Sequence, residues 1–138
     1  MALPTTDEIL EDIEFFDDWE ERYKYIIDLG KELAPMDEAL RTQERYVKGC
    51  QSDVWIDVRM EGEQLRFLVH TDAIIVRGLL ALVMTAYDNK TAAQISAFDI
   101  DDYFQQLDLK RNLTPTRGNG LKEIVNRIES IARAAQSV

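Results

Sequence analysis

Residues 73–87 limit the fold more than any other stretch. Ile74-Ile75-Val76 and Leu79-Leu80-Ala81-Leu82-Val83-Met84 make this segment apolar almost all round, with Arg77 as the exception. A helix without a polar face belongs at the centre of a domain, so the rest of the chain has to wrap it. Thr71 or Asp72 is the expected cap. Directly upstream lie two β-branched or aromatic, partly alternating runs, Val54–Arg59 and Gln64–His70, separated by Glu61-Gly62-Glu63. They read as strands of a hairpin. Arg45–Lys48 reads as a further short strand. Together these predict an α+β fold: a small antiparallel sheet of about three strands packed against helices on one face.

The flanking segments supply the helices. Ile9, Ile13 and Phe16 recur at helical spacing behind a Thr5-x-x-Glu8 capping box, which predicts a short helix over about 6–16. Asp17 or Asp18 then caps a second helix carrying Trp19, Tyr23, Ile26, Ile27 and Leu33, stopped by Pro35. Met36–Glu44 reads as a connector with a single helical turn at most. Thr91-x-x-Gln94 opens a short helix, another covers about 100–107, and Thr114-Pro115 opens a terminal helix with Leu121, Ile124, Ile128, Ile131 and Ala135 inward. No repeat, linker or biased tract interrupts the 138 residues, so residues 1–138 are expected to form one domain.

Charge excludes several functions. A net charge of −10 is wrong for nucleic acid or an anionic membrane surface. No apolar run approaches a membrane span, and the N-terminus lacks a signal-peptide pattern, so a cytoplasmic location is expected. The single cysteine excludes an internal disulfide and a multi-thiolate metal site within the chain.

That cysteine sits in Arg45-Tyr46-Val47-Lys48-Gly49-Cys50-Gln51-Ser52-Asp53-Val54-Trp55. A structural cysteine normally lies in an apolar run. Cys50 has glycine before it and two polar residues after it, the setting of a loop. Lys48 and Arg45 nearby would favour the thiolate. From these residues alone, a reactive thiol and a half-buried bystander both remain open.

The stretch Gly49-Cys50-Gln51-Ser52-x-Val54-Trp55 resembles the signature around the acceptor cysteine of SufE/CsdE-type proteins, sulfur-transfer partners of pyridoxal-phosphate cysteine desulfurases. Trp19–Gly30, Thr71–Leu79 and Leu113–Leu121 resemble the same family, in register and in the same order. The resemblance implies a SufE/IscU-like fold. It also implies that Cys50 accepts a persulfide sulfur from a desulfurase of the SufS/CsdA type, stimulates that enzyme, and passes sulfur to an acceptor such as a SufBCD-type assembly complex. Pyridoxal phosphate would be carried by the partner, with no cofactor on this chain.

The resemblance also places Arg117 and Asp72 with Cys50. Arg117 lies in Thr-Pro-Thr-Arg-Gly at a helix start, where a lone cation opposes the dipole, and would assist thiolate formation or partner docking. Its plain alternative is a solvated arginine or an ion pair. Gly118 and Gly120 would admit another backbone. Asp72 has an obvious job as a helix cap, and beside the cysteine loop it would bias that loop inward. Lys48 and Arg77 are weaker sources of positive field. His70 invites a Cys/His pair, but no orienting partner can be assigned, so it reads as a sheet residue. A different function class, an iron–sulfur scaffold of IscU-like architecture, is disfavoured by the lone cysteine. A carrier must show its thiol to a donor yet shelter the product, so the loop is expected to have two positions, with Val54, Trp55 and the 74–84 helix lining the shelter.

Overall fold

A computed structural model describes residues 3–136. Chain order is α1 (Thr6–Glu14), α2 (Trp19–Gly30), a single 3-10 turn (Glu38–Leu40), β1 (Val54–Glu61), β2 (Gln64–Thr71), α3 (Ile74–Tyr87), β3 (Lys90–Thr91), α4 (Ala92–Ala97), α5 (Ile100–Gln106), α6 (Leu109–Asn112) and α7 (Pro115–Gln136). The fold is α+β, with a three-stranded antiparallel sheet in the order β1-β2-β3.

Local chemistry explains the element ends. The capping boxes at Thr5/Glu8 and Thr91/Gln94 are both formed, and Asp18 rather than Asp17 caps α2. β1 and β2 meet at Glu61 opposite Gln64, leaving Gly62-Glu63 as a two-residue turn. Gly62 has φ +64°, at the position where a type II′ turn takes glycine. The register sets Val54, Ile56 and Val58 opposite Thr71, Val69 and Phe67, so one face of the hairpin is apolar.

α3 is the central helix that its composition requires, buried from Gly78 to Tyr87. It crosses α2 at backbone contact. A Cβ on Gly78 would lie 2.6 Å from the Ile26 carbonyl oxygen, and one on Gly30 would lie 2.8 Å from the Gly78 nitrogen. Arg77 Nε donates to the Gly30 carbonyl at 2.8 Å, satisfying a carbonyl at the end of α2. Arg77 therefore has a structural job, capping the end of α2.

Two expectations are corrected. The third strand is Lys90–Thr91, paired with Gln64 and Leu65, and Arg45–Lys48 makes only a single bridge, Tyr46 to Trp55. Val47 donates to the Val54 carbonyl and Ile56 to that of Arg45, both at 2.9 Å, before the chain turns away at Gly49, whose φ is +92°. Neither Thr71 nor Asp72 caps α3: the N-cap position is Ala73, without a side-chain cap bond, Thr71 Oγ1 accepts from the Ala73 amide itself at 3.3 Å, and the Asp72 side chain is 89% exposed.

Candidate functional site

Cys50 lies on the turn enclosed by the Tyr46–Trp55 bridge, with its base closed on itself. The Tyr46 hydroxyl donates to Asp53 Oδ1 at 2.8 Å, and its ring meets Trp55 edge-on at 5.6 Å. Above this base the loop leans on the first turns of α7. Cys50 Sγ donates to the Gly120 carbonyl at 3.4 Å and is half-buried. A Cβ on Gly120 would stand 3.8 Å from both Cα and Sγ of Cys50, so loop and helix are in van der Waals contact.

A cavity of about 390 Å³ opens beside the thiol. It brings together all three residues expected at the site, Cys50, Asp72 and Arg117, from three separate parts of the chain. Ile75 and Leu79 of α3 and Leu121 of α7 supply an apolar wall. The 74–84 helix thus lines the space, as expected, whereas Val54 and Trp55 are not part of its wall. Trp55 instead anchors the loop base against Tyr46.

The electrostatics reverse the expected sign. Burial, and secondly the Glu123 carboxylate, push the Cys50 thiol above its ordinary value. Arg45 does not lower it: Arg45 Nε is paired with Asp57 Oδ1 at 2.7 Å. In this position Cys50 is a neutral thiol at neutral pH, and nucleophilic chemistry requires a changed environment. The Asp72 carboxylate is turned to His70 rather than to the loop backbone, its Oδ1 lying 3.2 Å from His70 Nε2. His70 packs on Trp55, with ring centroids 5.9 Å apart, and does not line the cavity. Cys50 and His70 therefore do not form a catalytic pair.

Two residues escaped the sequence reading, Glu123 and Arg127. Both lie on the α7 face that receives the loop. Arg127 Nη1 donates to the Tyr46 carbonyl at 3.3 Å and Nη2 to that of Glu44. Their spacing from Gly120 marks a common helix face, but nothing in the spacing says which segment that face meets.

Fold and site together define a class of small α+β protein that holds one cysteine on a loop turned by a glycine, over an apolar cavity between two helices. The chain belongs to the SufE family: the family description "Fe-S metabolism associated domain" fits residues 7–132. An uncharacterized SufE-like protein of Rhizobium etli is 41% identical over 137 residues, spanning 96% of this chain and 93% of the relative. One from Rhizobium meliloti is 40% identical over 134 residues, spanning 94% and 96% respectively. The solution structure of a hypothetical protein from Thermus thermophilus superposes with a TM-score of 0.79 over the full length of both chains, at 18% identity, a likeness of fold alone. Among the described residues, no helix is long and apolar enough to cross a membrane.

Proposed function

We propose that the protein accepts sulfur on Cys50 from the persulfide of a cysteine desulfurase, stimulates that enzyme, and passes the sulfur on for iron–sulfur cluster assembly or related sulfur trafficking. The observation that carries this reading is the cysteine itself, on a loop and half-buried, with its sulfur at the wall of an apolar cavity that also holds Arg117. Membership of a family associated with iron–sulfur metabolism supports it.

The chemistry is thiol exchange. The Cys50 thiolate attacks the terminal sulfur of the donor persulfide. The donor sulfur–sulfur bond breaks, its cysteine leaves as a thiolate, and the proton given up by Cys50 goes to that thiolate. One sulfur moves with no net oxidation. Arg117 is the cation available beside the thiol as charge develops. The donor is a pyridoxal-phosphate desulfurase of the SufS or CsdA type, and a SufBCD-type complex is the natural acceptor.

Nothing in the geometry favours the scaffold alternative: among the described residues, no three His, Cys, Asp or Glu side chains converge. Incubation with a desulfurase and free cysteine tests the proposal. The protein gains one sulfur atom by mass, reductant removes it, and Cys50→Ser never acquires it. An adduct that persists in Cys50→Ser overturns the assignment.

A further inference from the structure

One face of α7 holds the whole segment from Glu44 to Cys50. Arg127 binds the carbonyls of Glu44 and Tyr46 at the loop base. Gly120 receives the Cys50 thiol at the loop tip. Glu123 sits between them, one turn along from Gly120. A Cβ on Gly49 would lie 2.9 Å from Glu123 Cγ and 3.6 Å from Oε2, so this acidic side chain is packed directly on the residue preceding the cysteine. The base is anchored twice, by Arg127 and by β1. The tip rests on α7 through a weak thiol bond and the Gly49–Glu123 contact.

We propose that Glu123 is a positioning residue that makes the hold of α7 on the loop depend on the charge of its cysteine: a neutral thiol is tolerated beside this carboxylate, and an anionic persulfide is repelled by it. This rests on the sulfur-acceptor reading above. A persulfide is a stronger acid than its parent thiol, so loading Cys50 adds one sulfur and, at neutral pH, one negative charge. The unloaded thiol is kept neutral by burial and by the same carboxylate. The empty carrier therefore sits quiet on α7, and loading weakens that hold with no further reagent.

The other charged and titratable groups around the loop are Asp72, Tyr46, Lys48 and Arg117. Asp72 lines the cavity but is engaged with His70. The Tyr46 hydroxyl, bonded to Asp53, is pushed above its ordinary value and stays neutral. Lys48 lies on the loop itself, and Arg117, on the first turn of α7, draws an anion toward the helix and so opposes Glu123.

Cys50→Ser and Cys50→Asp provide neutral and anionic stand-ins of similar size. Hydrogen exchange of the peptide covering 44–53 should be at least about threefold faster in Cys50→Asp, the effect of one close like-charge pair in a solvated setting. Adding Glu123→Gln should reduce the difference, leaving only the part due to burial. In the otherwise native chain, Glu123→Gln should lower the midpoint of the pH–rate profile for iodoacetamide labelling of Cys50. Equal exchange in the Ser and Asp variants, or a difference that Glu123→Gln leaves undiminished, overturns the proposal. If Cys50→Asp fails to fold, the labelling profile decides alone, and an unmoved midpoint overturns it. Sulfur loading of the native chain, followed separately by mass, is where the sulfur-acceptor reading itself would fail.

Discussion

Cys50 stands between two opposed demands. On the proposed function, attack on a persulfide needs a thiolate, yet burial and Glu123 hold this thiol above its ordinary value. Labelling of the free protein by iodoacetamide should accordingly rise with pH to a midpoint above that of a free thiol, and a desulfurase should accelerate it at neutral pH. A rate already fast at pH 7 and unaffected by the partner would contradict this. The same shift has a stability consequence with a definite sign. The folded state keeps its proton to higher pH than the unfolded chain, so the contribution is present below the unfolded thiol value and is lost as pH rises through the folded one. Arg117 is the complementary case. It opens α7 off the buried stripe, so Arg117→Ala should leave the melting transition within about 0.5 kcal/mol of native while lowering desulfurase stimulation. Unchanged turnover would make it an ordinary surface charge. Asp72 and His70 show the limit of reading single residues. Both lie by the loop in space or sequence, but they pair with each other at 3.2 Å.

At the level of elements, whatever depended on local pattern was legible. The capping boxes, the hairpin and α3 each carry their signal within one turn or one strand, and they stand where expected. What the pattern missed depends on distant partners. β3 is two residues long, too short for any periodicity, and exists because Asn89 at φ +61° returns the chain to Leu65. Arg45–Lys48 has the composition of a strand, but its other side is taken by Arg127, and Gly49 ends it. Glu123 was invisible for the same reason, since its partner Gly49 is far away in sequence. The α2–α3 crossing gives the sharpest prediction at this scale. A methyl on Gly78 would press on the Ile26 carbonyl oxygen at 2.6 Å, and backbone cannot step aside. Gly78→Ala should therefore cost about 2–3 kcal/mol in chemical denaturation, while Gly118→Ala, with nothing within 4 Å, should not strain any contact.

The whole molecule presents its chemistry on one side. Among the described residues, three large apolar side chains are exposed: Phe15 at 82%, Ile74 at 67% and Met60 at 53%. Of these, only Ile74 belongs to the cavity that holds Cys50, Asp72 and Arg117. Exposing such a side chain at the mouth of a functional cavity has no folding rationale, because nothing in the chain is stabilised by it. Covered by a docked desulfurase, it would contribute the burial of a single large aliphatic group, about 1.5 kcal/mol or a little over tenfold in affinity. Ile74→Glu should thus weaken desulfurase binding by roughly that factor or more, and leave the thermal transition near native, since the side chain is already in water. Phe15→Glu is the control: it is more exposed than Ile74 but lies outside the cavity wall, so it should bind as the native protein does. Titration of each variant against one desulfurase decides the matter. Equal losses in both variants would mean that overall charge or a different face governs docking, and equal binding in both would remove Ile74 from the interface.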